Sequence, residues 1–180
     1  MTRFPFVLSA LLLIGAAPPT PAPQELVGQF YAAYFALPQK GGVPGAKSLA
    51  TLQPFLSPAL TGKLIDAEKA EQRYAKRTHG EVPPLIEGDL FTSLFEGASR
   101  LEKLDCTSSD GAAQCTAALS YDDTATKQSV RWTDEVDLTD AKAGWRIADI
   151  AYGGTWEFMH KGRLTDVLND AIRAADAPLN

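Results

Sequence analysis

The stretch Ser129–Tyr152, "SVRWTDEVDLTDAKAGWRIADIAY", decides how the chain reads. In its first half Val130, Trp132, Asp134, Val136 and Leu138 alternate with Ser129, Arg131, Thr133, Glu135 and Asp137. That two-residue period describes a β-strand with one apolar and one polar face. Its second half repeats the pattern with Trp145, Ile147, Asp149 and Ala151 on one face. A loop through Asp140 and Gly144 predicts a hairpin that pairs Leu138 with Trp145 and Val136 with Ile147. The same register sets Asp134 opposite Asp149 on the apolar face. Two facing carboxylates on a buried surface need an answer. Three are open: a cation from Arg163 or Arg173, a shared proton of the kind used in acid–base chemistry, or a β-bulge that turns one carboxylate away.

Two further strands precede this hairpin, over Leu101–Cys106 and Gln114–Tyr121. The residues between the chain's two cysteines, "TSSDGAAQ", contain Asp110-Gly111, a tight-turn pair. A hairpin centred there brings Cys106 and Cys115 opposite each other and predicts a disulfide. The competing reading is a metal pair, which only His79 and His160 could complete; neither is near in sequence. No metal and no cofactor is expected.

The first part of the chain reads as helical. Leu26, Val27, Phe30, Tyr31, Tyr34 and Phe35 recur at helical spacing over Glu25–Leu37. Leu49, Leu52 and Phe55 predict a second helix over Ser48–Leu56. Ser57-Pro58 supplies an N-cap and an N1 proline for a third, running to Arg77 with Leu60, Leu64, Ala67 and Tyr74 inward. Gly162–Asp176 reads as a terminal helix. The stretch Pro83–Gly97, "PPLIEGDLFTSLFEG", predicts a short helix plugging the sheet, with Asp89 as N-cap, Thr92 at N3 and Gly97 at C′; the competing reading has Glu87, Asp89 and Glu96 lining a pocket mouth. Helices followed by a run of antiparallel strands give an α+β domain, with N-terminal helices packed on one curved sheet and a helix at the C-terminus.

The long aromatic first helix "LVGQFYAAYFAL" and the late strand "GWRIADIAY" resemble the cone-shaped fold of nuclear-transport-factor-two-like proteins. More narrowly, "FLSPAL", "GDLFTSLFEG" and "GWRIADIAY" resemble a domain of unknown function found in bacterial secreted proteins and envelope lipoproteins. The resemblance implies a fold and an envelope address. It implies no reaction, because the fold hosts enzymes, binders and scaffolds.

The N-terminus supports export. "MTRFPFVLSALLLIGAAPP" places Arg3 before the apolar run Phe4–Ile14 and small residues after it, the layout of a signal peptide. An uncleaved anchor is the competing reading, but the run falls short of the roughly 20 apolar residues a membrane span needs. The expected organisation is a signal peptide over 1–16, a proline-rich spacer over 17–23 and a single α+β domain over 24–177. Cleavage would leave no stable membrane anchor and, with Arg3 gone, move the net charge from −5 to −6. An acidic chain without a basic patch is a poor partner for nucleic acid. The chain holds no Gly-x-Ser-x-Gly, phosphate loop or dinucleotide fingerprint.

These features predict a periplasmic or secreted, non-catalytic domain that binds a small ligand or an envelope protein. Two alternatives stay open. One is a small cone-fold enzyme with Asp134 or Asp149 as general base in a pocket lined by Tyr34, Trp132 and Trp145. The other is an immunity or inhibitor protein for an envelope enzyme. Trp132, Trp145 and Trp156 read as core rather than as a cofactor platform, and His160 reads as a surface residue before the last helix.

Overall fold

Asp110 and Gly111 take φ values of +47° and +78°, the left-handed pair that a two-residue hairpin turn requires. They join β1 (Arg100–Ser109) to β2 (Ala112–Asp123) in a computed structural model that describes residues 21–38, 41–141, 144–157 and 159–178. Cys106 and Cys115 are direct partners across this hairpin, with their sulfurs 2.02 Å apart. β2 turns into β3 (Gln128–Ala141) through a loop closed by Asp123, whose carboxylate accepts from the Ala125 and Thr126 amides and the Thr126 hydroxyl. β4 (Gly144–Ala151) completes an antiparallel sheet in the order β1-β2-β3-β4.

The last hairpin departs from the expected register. Ala141 pairs with Gly144, so Trp145 lies opposite Asp140, not Leu138, and Ile147 lies opposite Leu138, not Val136. Ala148 then has no partner, and the ladder resumes with Asp149 opposite Asp137 and Ile150 opposite Val136. This bulge inverts the facing of β4 at its middle. Ile147 and Ile150, three residues apart, both enter the core, and Asp149 joins Asp137 instead of Asp134. Filling the core with two isoleucines decides the matter. Each fully buried aliphatic side chain contributes about 1.5–3 kcal/mol.

Among the described residues four helices pack around the sheet and one another: α1 (Pro23–Phe35), α2 (Ala46–Leu52), α3 (Pro58–Arg77) and α4 (Leu164–Ala174). α2 ends earlier than its apolar spacing suggests, because Pro54 lacks the amide needed to extend the ladder; a single 3₁₀ turn, Gln53–Phe55, follows. Ser57 caps α3 as expected, accepting from the Leu60 amide at 3.1 Å. Its own amide donates to the Ile147 carbonyl at 2.8 Å and covers the outer edge of β4. α1 contributes Phe30, Tyr31 and Tyr34 to a core shared with Leu52, Leu60, Leu64, Leu119 and Leu168. Among the described residues no helix is long and apolar enough to cross a membrane. The expected signal peptide and spacer residues up to 20 lie outside the described residues, and α1 starts at the last residue of that spacer.

The segment 83–97 is not a helix. Its buried residues Leu90, Phe91 and Leu94 plug the sheet as expected, but Phe95 is 44 % exposed and the backbone bonds outward. The Asp89 amide donates to the Phe95 carbonyl at 2.9 Å, closing a loop between Gly88 (φ +71°) and Gly97 (φ +79°). The Ser93 amide, which a helix would return to the carbonyl four residues back, goes to Asp134. A charge-assisted bond to a buried carboxylate outweighs a neutral helical one.

Candidate functional site

Asp134 is fully buried on the inner face of β3, and four donors surround it. Its Oδ2 accepts from the Ser93 amide and the Trp132 indole Nε1, each at 2.9 Å. Its Oδ1 accepts from the Gly153 amide at 2.9 Å and from the Ser93 hydroxyl. A carboxylate offers about four lone-pair sites, and these four neutral donors occupy them. They replace the hydration lost on burial, with no ion pair to Asp134 among the described residues.

Close packing makes this possible. A Cβ at Gly153 would lie 2.1 Å from the Thr133 carbonyl oxygen, so only glycine brings that amide onto Asp134. Gly154 donates to the Ser93 oxygen at 3.0 Å, and Trp156 meets Trp132 edge-on at 5.5 Å. Asp134 thereby holds the 89–97 loop and the 152–156 segment onto β3.

Asp149 sits apart from Asp134. Its Oδ2 accepts from Arg163 Nε at 2.8 Å and the Thr165 hydroxyl at 2.7 Å, and its Oδ1 from the amides of Thr165 at 3.0 Å and Ile150 at 2.9 Å. The Thr165 amide belongs to the first turn of α4, so Asp149 caps that helix from the neighbouring strand. Arg163 also pairs with Asp137, and its hydrogen bond to Asp149 is the foremost cause of its raised pKa. Of the two cations considered, Arg163 answers the facing carboxylates, while Arg173 pairs with Asp170 on its own helix. The bulge and the cation therefore both operate, on the pair Asp137–Asp149.

The five residues expected to share a pocket are distributed over four places, with Asp149 held apart by Arg163 and the start of α4. Trp132 and Asp134 are joined directly. Tyr34 lies under the 89–97 loop, where burial first, and then the Asp89 carboxylate beside it, raises its hydroxyl pKa. Trp145 is half-buried near the turn end of the last hairpin, opposite Asp140.

Several further polar residues gather around the loop. Asp89 is buried and accepts from the Thr92 hydroxyl at 2.7 Å. Tyr31 is fully buried, and its hydroxyl has no hydrogen-bond partner among the described residues. Burial, followed by the Asp134 and Asp89 charges, pushes its pKa up. The Tyr152 hydroxyl donates to the Leu90 carbonyl at 2.7 Å, and burial raises its pKa too. His160 is half-buried against the Tyr152 ring at 5.9 Å, not a surface residue; burial lowers its pKa and leaves Nε2 without a partner among the described residues. The cluster brings acids and phenols together, and their neighbours favour the neutral phenol.

The surface carries a groove of about 490 Å³ between α3 and the 82–86 segment. Val43, Val82, Pro83, Pro84 and Ile86 give it apolar walls, and Glu68 and Glu71 of α3 line one side. Glu71 is bound by the amides of Leu85 at 3.1 Å and Ile86 at 2.8 Å, which fixes the proline-rich segment against the helix. Among the described residues no group of three or more His, Cys, Asp or Glu side chains is placed to hold a metal ion.

Comparison of the chain with protein-family models, with curated proteins and with solved structures finds no match.

Proposed function

We propose that this chain is an exported, non-catalytic binding domain of the cell envelope. The observation that carries the reading is the saturation of Asp134: the carboxylate best placed for general-base work has all its acceptor positions filled by Ser93, Trp132 and Gly153. Asp149 is likewise committed to Arg163 and the start of α4. Both acids act for the fold, which weighs against the general-base alternative. The Cys106–Cys115 pair, with sulfurs 2.02 Å apart, supports an oxidising compartment, as does the signal-peptide layout of residues 1–16. The order of helices, antiparallel sheet and terminal helix supports the cone-fold resemblance at the level of element order.

Native mass spectrometry on the protein recovered from its own envelope fraction tests this. A retained small molecule or a co-purifying protein is expected. A turnover that disappears in Asp134→Asn while the variant keeps wild-type stability would overturn the reading.

A further inference from the structure

The groove beside α3 offers hydrogen-bond acceptors and acidic side chains, and among the described residues its lining contains no Lys, Arg or His. Glu68 is half-buried in its wall and forms no ion pair among the described residues. Glu71 holds the Leu85 and Ile86 amides through its two carboxylate oxygens. Pro83 and Pro84 have no amide to donate, and the carbonyls of Val82, Pro83 and Pro84 accept no backbone hydrogen bond among the described residues. Val82 is 43 % exposed although its neighbour Ile86 is buried.

We propose that this groove binds an extended peptide segment of a partner protein, with a Lys or Arg flanked by apolar residues. The inference rests on the binding-domain reading above and adds the place and the class of partner. The peptide's amides would meet the free carbonyls along 82–84, its cation would meet Glu68, and its apolar side chains would cover Val82 and Ile86. The volume of about 490 Å³ falls within the range of ligand sites, roughly 300–1,000 Å³. The two prolines and the Glu71 clamp hold the wall in place beforehand, so little ordering entropy is lost on binding.

The test is selection of a displayed random peptide library on the oxidised mature protein, followed by titration of the enriched peptides against two variants. Glu68→Gln removes the unpaired charge, and Val82→Asp places a carboxylate in the apolar wall. Thermal unfolding of both variants checks that the fold is kept, and Glu68→Gln suffices if Val82→Asp unfolds. Enriched peptides are expected to carry a basic residue beside apolar ones, to bind Glu68→Gln about tenfold more weakly, and to lose Val82→Asp altogether. No enrichment, or peptides that bind both variants like the wild type, overturns the assignment. In the second case the groove is wrong while the binding-domain reading stands, since the native mass spectrum judges that reading separately.

Discussion

Ser93 and Asp134 are joined twice across 41 residues of chain: the Ser93 amide reaches Oδ2 at 2.9 Å, and its hydroxyl donates to Oδ1. The same hydroxyl oxygen accepts from Gly154. Ser93→Ala removes one donor from a buried carboxylate and strands the Gly154 amide. A loss of about 1–3 kcal/mol is expected in urea unfolding. Wild-type stability would mean that the hydroxyl is dispensable to the clamp.

Tyr31 and Tyr34 are neighbours on α1 with opposite expectations. The Tyr34 hydroxyl lies beside the buried Asp89 carboxylate, so Tyr34→Phe takes away a partner and should cost about 1.5–3 kcal/mol. The Tyr31 hydroxyl has no partner among the described residues, so Tyr31→Phe removes only a buried polar group and should be neutral or stabilising. Paired thermal melts read the difference, and equal losses in both variants would refute it.

Glycines separate in the same way. Gly153→Ala drives a methyl group to 2.1 Å from the Thr133 carbonyl oxygen and should destabilise by about 1–3 kcal/mol, since a backbone atom must shift. Gly28→Ala meets nothing within 4 Å in the interior of α1 and should stabilise by about 0.5–1 kcal/mol. If the two variants melt together, the close approach of the 153–154 segment to β3 is not as described.

His160 sets a pH dependence. Burial lowers its pKa from the ordinary 6.5, so the folded chain binds the proton more weakly than the unfolded chain. Its contribution is complete above pH 6.5 and declines as pH falls through 6.5 toward the lower folded value. The melting temperature of the wild type should therefore drop between about pH 7.5 and about pH 5.5, and that of His160→Gln should drop less. Parallel profiles would show that the imidazole is indifferent to folding.

Much of the architecture was legible because local chemistry and tertiary demand agree. Asp110-Gly111 specifies a two-residue turn that few pairs fill as easily, and this sets Cys106 against Cys115. Ser57-Pro58 starts α3 for reasons contained in two residues. The bulge at Ala148 was not legible as to place. A single unpaired residue leaves no composition signal, and its position depends on the fit of Ile147 and Ile150 in the core. The 83–97 segment misled because adjacent apolar pairs four apart suit a helix and a plug alike. Asp134 announced itself as a carboxylate on an apolar face with Trp132 two residues before it, but its other donors are neutral groups of Ser93 and Gly153, 41 and 19 residues away, with no pattern of their own.

The unfolding free energy of Asp134→Asn, measured by chemical denaturation beside the wild type, tests the account most directly. Asparagine keeps the shape but turns an amide NH₂ toward the Ser93, Trp132 and Gly153 donors, leaving buried polar groups unpaired. A loss of about 2–5 kcal/mol is predicted, with any bound partner released only through unfolding. A variant as stable as the wild type, changed only in binding or turnover, would contradict the claim that Asp134 serves the fold.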